Sequence, residues 1–150
     1  MMKTKLKSVA LVLLGSVMTL GLIMGYFANA QSDVAHKLVI QVSTDDPRTQ
    51  KIALNNAVNL QKHYGIDNVE IEIVAYGPGL GMLTEKSGVA SRVSSLALSG
   101  ITFSACGNTM NAVAKKSGTM PTLLEGVEQT PAGVARIMEL QEQGYSYIRP

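Results

Sequence analysis

The sequence predicts a doubly wound α/β domain, a mainly parallel five-stranded sheet with helices on both faces. Short apolar runs rich in Val and Ile alternate with segments of helical period from residue 37 to residue 150. Glycine or proline punctuates nearly every junction. Five apolar runs separated by four helical segments leave little room for another architecture.

The first strand is Leu38 to Val42, bounded by Ser43-Thr44-Asp45-Asp46-Pro47, a turn whose proline suits the first position of a helix. From Arg48 to His63 the residues Ala53, Ala57, Leu60 and Tyr64 recur at helical spacing, and Gly65 stops the helix. Asn55, Asn56 and Asn59 lie along one side of it, either bridging to a neighbour or solvated. Val69 to Ala75 alternates Val69, Ile71 and Ile73 inward with Glu70 and Glu72 outward, a strand near a sheet edge.

After the Gly-rich stretch Gly77 to Gly81, a helix from about Glu85 to Ser99 aligns Val89, Val93 and Leu96 and ends at Gly100. Ile101 to Ala105 is the third strand, and Cys106-Gly107-Asn108-Thr109 turns into a short helix that Gly118 ends. Thr122 to Val127 reads as the fourth strand. Thr130 and Pro131 then offer an N-cap and a first-turn proline for a helix to Gln143, and Tyr145 to Ile148 completes the sheet. Met82, Met110, Met120 and Met138 are dispersed and read as core filler.

Ahead of this domain, residues 1 to 30 fall into three zones. Lys3, Lys5 and Lys7 precede an apolar run from Val9 to Met24, and small residues follow, ending Ala28-Asn29-Ala30. That order is a secretory signal, cleaved to leave a short polar lead (31–36) and a domain (37–150). The expected location is periplasmic or secreted, with no membrane contact after cleavage; the alternative is an uncleaved helix that anchors the chain.

Cleavage removes three of the thirteen basic residues and none of the eleven acidic ones, so ten face eleven and the net charge becomes −1. The longest basic run, Lys115-Lys116, closes a helix where cations suit the dipole, and nucleic acid is not an expected partner.

With a flavodoxin-like strand order, 2-1-3-4-5, the switch point falls between the first and third strands, and ligand chemistry belongs in the crevice at their carboxyl ends. Cys106, the single cysteine of the chain, would stand there, its sulfur open to solvent. Backbone N–H groups of Gly107, Asn108 and Thr109 and the positive end of the helix dipole would stabilise its thiolate, with Asn108 or Thr109 capping the helix. The bland reading is a small apolar residue filling a strand end.

Asp45, Asp46, Gly77, Gly79 and Glu128 are the other crevice candidates. Asp45-Asp46 suits a cap and turn better than a cation, and no metal is assigned. Gly77-Pro78-Gly79-Leu80-Gly81 matches neither G-x-G-x-x-G nor the P-loop. Ser104 lacks the G-x-S-x-G setting, and His36 and His63 suit the surface, which disfavours a hydrolytic triad.

The segments VIQVSTDD, ALNNAVNL, EIVAYGPGLGML and above all GITFSACGNTM together resemble the DsrE/DsrF-like superfamily over residues 37 to 150, most closely its small stand-alone members. The resemblance implies a flavodoxin-like fold assembled into homotrimers or hexamers. It also implies that Cys106 matches the position that carries sulfane sulfur in the family's relay proteins. Its partners would be a sulfur donor or acceptor, either a protein or a small sulfur compound, with no cofactor required. The implied activity is that of a sulfur carrier or sulfurtransferase acting through a Cys106 persulfide. The competing reading is a non-catalytic oligomeric binding module in which the cysteine is structural.

Overall fold

The structure, a computed structural model, describes Val34 and residues 36–150. The expected signal segment, its cleavage site and most of the polar lead lie outside the described residues. Among the described residues no helix is long and apolar enough to cross a membrane.

Strands β1 (His36–Val42), β2 (Val69–Ala75), β3 (Thr102–Cys106), β4 (Val127–Thr130) and β5 (Ser146–Ile148) form one all-parallel sheet in the order β4-β3-β2-β1-β5. Helices α1 (Pro47–Tyr64), α2 (Ala90–Leu98), α3 (Gly107–Ser117) and α4 (Gly133–Glu142) connect them, with a 3₁₀ helix, Gly77–Leu83, preceding α2. The fold is doubly wound α/β of the flavodoxin-like class.

The strand order departs from 2-1-3-4-5. The chain lays down β1 to β4 side by side in one direction, then returns across the sheet to place β5 beside β1. Right-handed crossovers require that steps in one direction leave their helices on one face and the reverse step on the other. The two cores follow that rule. On one face Leu38, Ile40, Val42, Ile71, Ile73, Phe103 and Ala105 pack with Ala53, Leu54 and Ala57 of α1, Val93 of α2 and Met110 of α3. On the other, Val39 and Val74 meet Ile137 and Leu140 of α4, with Tyr145. The connections leaving the neighbouring strands β3 and β4 therefore go to opposite faces, α3 to one and α4 to the other, and the crevice between them lies beside Cys106, although the strand order is not the expected one.

Helix α1 obeys its sequence signals. Asp46 is the N-cap, its carboxylate accepting from the Thr49 N–H at 2.7 Å and the Thr49 hydroxyl at 2.7 Å, and these bonds hold its pKa below the usual carboxylate value. Gly65, at φ 89°, returns its N–H to the Gln61 carbonyl. Asn55 accepts from Arg92 of α2 at 2.6 Å, so that side of α1 meets another helix of its own chain.

Several boundaries shift. Strand β2 is the central strand rather than a near-edge one, and Glu72, expected to face outward, is 3% exposed. Helix α2 starts at Ala90 and not near Glu85, because the preceding residues form turns held by Ser87 N–H to the Thr84 carbonyl and Val89 N–H to the Ser87 hydroxyl.

The segment expected as the fourth strand is a loop instead. Leu123 bridges Thr84, Leu124 N–H bonds the Leu83 carbonyl, and Gly126 at φ 80° turns the chain before β4. Thr130 pairs with Cys106 in the ladder and does not cap α4, whose N-cap is Ala132. Met82 and Met110 fill the core as expected, but Met120 and Met138 are exposed.

Candidate functional site

Cys106 is both the last residue of β3 and the N-cap of α3. Strand alternation puts it on the same face as Ser104, beneath α4, and two helices therefore begin beside its sulfur. The first turn of α3 follows directly, and the first residue of α4, Gly133, sits over it. A Cβ at position 133 would stand 3.2 Å from the Cys106 Cβ and 3.2 Å from two atoms of Tyr76. Glycine allows this approach of backbone to thiol.

Cys106 is 5% exposed, a buried residue and not one open at the rim as the sequence suggested. Burial pushes its pKa up. Against that act the Thr109 hydroxyl and then the backbone N–H groups of Gly133, Thr109 and Asn108, which together bring it below the ordinary thiol value. The Thr109 oxygen already accepts the Gly77 N–H at 3.0 Å, which leaves its one proton to donate to sulfur. The Asn108 amide is shared, donating also to the Pro131 carbonyl at 3.1 Å.

The surroundings of the sulfur are thus polar on the side that matters chemically. Donors from both helix starts favour negative charge at an atom kept from bulk water. Such a setting favours the thiolate, the form of a cysteine that attacks sulfur–sulfur bonds.

The other sequence-derived candidates divide. Gly77 joins the site through Thr109. Gly107 fits against Gln129 and the Thr130 and Pro131 carbonyls, where a Cβ would stand 3.0 to 3.2 Å from them. Gly79 is structural: a Cβ there would lie 2.2 Å from the Val42 carbonyl oxygen. Asp46 caps α1, and Asp45 is exposed in the loop before it. Glu128, expected in a loop at the crevice, is an exposed β4 residue in register with Ser104. Neither Asn108 nor Thr109 supplies a side-chain cap.

Both imidazoles lie at the opposite edge of the sheet, where His36 stacks on Tyr64 at 3.8 Å and His63 meets the same ring edge-on. No histidine serves the thiol as a base, and the amides take that part by stabilising the anion. Among the described residues no group of three His, Cys, Asp or Glu is arranged to hold a metal ion.

Tyr76, Gly133 and Arg136 escaped the sequence reading, which weighed Ser104 only as a nucleophile and Glu72 only as an outward-facing strand residue. Glu72 accepts from the Ser104 hydroxyl at 2.6 Å and from Arg136 Nε at 2.9 Å and Nη2 at 2.7 Å. A lone Glu between Ile71 and Ile73 is indistinguishable in sequence from a solvent-facing strand residue. Its partner lies 64 residues away. A separate cleft of about 680 Å³, lined by Pro78, Thr84, Lys86, Val113, Ser117 and Met120 among others, opens between the 3₁₀ helix and α3; Cys106 does not line it.

Comparison with known proteins finds a family and a solved structure that this chain resembles. The profile of the DsrE/DsrF-like family matches residues 36–150. Among solved structures, a protein of unknown function from Methanobacterium thermoautotrophicum, MTH1491, is 35% identical, with a TM-score of 0.69, covering 77% of this chain and 99% of that one. No curated protein matches. The chain belongs to the DsrE/DsrF-like family.

Proposed function

We propose that this member of the DsrE/DsrF-like family is a sulfane-sulfur carrier or sulfurtransferase that works through a persulfide on Cys106. The observation that carries the reading is the convergence of the Thr109 hydroxyl and three backbone amides on the only thiol of the chain. In loading, the Cys106 thiolate attacks the terminal sulfur of a donor persulfide. The new Sγ–S bond forms as the donor's S–S bond breaks, and the donor leaves as a thiolate that takes up a proton. Unloading is the same exchange run with an acceptor thiol as nucleophile. Sulfur changes hands with no net oxidation, so the chain's own residues suffice.

The same amides that favour the thiolate favour the persulfide anion, whose charge rests mainly on the terminal sulfur. Burial protects that species from competing thiols. The basic, apolar and small-residue zones of residues 1–30 support a location outside the cytoplasm. Val134 and Met138, 61% and 60% exposed one turn apart on the outside of α4, support a homo-oligomer.

The decisive experiment is intact mass spectrometry after incubation with polysulfide. Wild type gains one sulfur atom that dithiothreitol removes, and Cys106→Ser gains none. Absence of the adduct with donors that load other carriers overturns the proposal. The second reading, a binding module with a structural cysteine, is favoured by the 5% exposure and by the cleft that excludes Cys106. It requires that native protein resist both sulfur loading and alkylation, and that Cys106→Ser keep full ligand or partner binding.

A further inference from the structure

We propose that the Glu72–Arg136 pair is the positioning element of the thiol site: it seats the first turn of α4 on the sheet and so holds the Gly133 amide at the Cys106 sulfur. The inference rests on the sulfur-carrier reading only for its purpose; its geometry stands apart from it.

The two ends of this network lie on the two elements that make the site. Ser104, two residues before Cys106 and on the same face of β3, donates to Glu72 Oε1 at 2.6 Å. Arg136, three residues after Gly133 in α4, grips the same carboxylate through Nε at 2.9 Å and Nη2 at 2.7 Å. A guanidinium fork bound by both arms fixes direction as well as distance. The ring of contacts closes at the site itself, where Gly133 meets Cys106 and Tyr76.

The apolar packing of α4 leaves work for such a strut. Its buried apolar side chains, Ile137 and Leu140, are the fifth and eighth residues of the helix, beyond its first turn. The first turn contributes Gly133, which has no side chain to anchor, and Val134, which is 61% exposed. Ala132 provides no side-chain cap. Apart from Arg136, the helix start meets the sheet through the Gly133 backbone against the side chains of Cys106 and Tyr76.

The charged and titratable groups facing the pair are Glu70 and Tyr145, which share a hydrogen bond, Lys37, in register with Glu70 and 6.0 Å from the centre of the Tyr145 ring, and Glu139 at 3.8 Å from Arg136. Glu128 stands in register beside Ser104 on β4. None of them is among the groups that set the acidity of Cys106, whose neighbours are the Thr109 hydroxyl and backbone amides. A change at the pair therefore reaches the thiol through the position of α4.

The test is the pH profile of iodoacetamide alkylation of native full-length protein, which reads the thiolate fraction of its single cysteine without any sulfur transfer. Arg136→Met strips the strut from one side but leaves a buried carboxylate. The double variant Glu72→Met with Arg136→Met replaces both charges by apolar groups of similar length and recovers most of the stability that the single variant loses. In the double variant the midpoint of the profile moves up by about one pH unit, a roughly tenfold loss of thiolate below the midpoint, while Arg136→Lys, which keeps one contact, moves it less. An unchanged midpoint in the folded double variant overturns the proposal. So does a rate that falls equally at every pH, which reports access and not anion stability. Failure of wild type to load sulfur while these midpoints shift as stated sinks the carrier reading and leaves the positioning role standing.

Discussion

The two faces of the sheet are built to different rules. On the strands, the buried side chains of the face under α1, α2 and α3 are all hydrocarbon, with Ile40, Ile71, Ile73 and Phe103 fully buried against Leu54 and Val93, and the buried Gln50 of α1 lies at the helix start bonded to the Thr44 carbonyl. The face under α4 has five buried apolar residues and, on the strands themselves, three buried polar ones: Gln41, Glu72 and Ser104. Each of the three is paired, Gln41 with Tyr147 at 2.6 Å and the other two with each other and Arg136. Cys106 ends the polar face. The contrast teaches that one side of a parallel sheet can supply the stability while the other is free to hold polar groups at fixed positions, which is what a thiolate site needs.

The contrast is sharpest in the energetics. Phe103→Ala on the apolar face opens a cavity in a filled layer and costs about 3–5 kcal/mol in urea denaturation. Arg136→Met on the polar face strands the Glu72 carboxylate and costs about 3 kcal/mol, and adding Glu72→Met recovers most of that loss, since an apolar pair of similar volume is tolerated where half an ion pair is not. If the double variant is no more stable than Arg136→Met, the polar face contributes to stability like a second core, and the division of labour between the faces is wrong.

Much of this was legible in the sequence and part was not. Period-2 and period-3.6 patterns located β1, β2, β3, α1 and α3, because there hydrocarbon meets hydrocarbon and periodicity records burial directly. The strand-to-helix junction at Cys106 was equally clear. What failed was whatever depended on long-range pairing. Glu72 reads as solvent-facing until Arg136 is brought over it, Thr130 reads as a helix cap until the ladder with Cys106 claims it, and Thr122 to Val127 reads as a strand until Leu124 is tied to Leu83. The sheet order failed for the same reason, since neighbouring strands share no local signal that says which side the next one joins.

Smaller effects probe the site itself. Cys106→Ser alters stability by about 1 kcal/mol or less, within the range of substitutions that open no cavity, yet abolishes alkylation and sulfur loading. A stability loss as large as that of Phe103→Ala would instead make Cys106 part of the core. Smallest is the pH dependence. The folded thiol has its pKa below the unfolded value, so between the two the unfolded chain binds a proton the folded one has released, and stability rises with pH. Relative to Cys106→Ser, wild type gains stability as pH rises from the folded pKa toward the unfolded one, and the gain is complete above the ordinary thiol value of 9.0. It disappears as pH falls through the folded pKa.

The central claim is that the amides and hydroxyl gathered at the starts of α3 and α4 outweigh burial and make Cys106 an anion. Ultraviolet titration of thiolate absorbance in the native protein, with Cys106→Ser subtracted, measures that balance at a single atom. The account predicts a midpoint below that of the urea-unfolded chain. A native midpoint equal to or above the unfolded one would mean that burial wins, and Cys106 would then be packing.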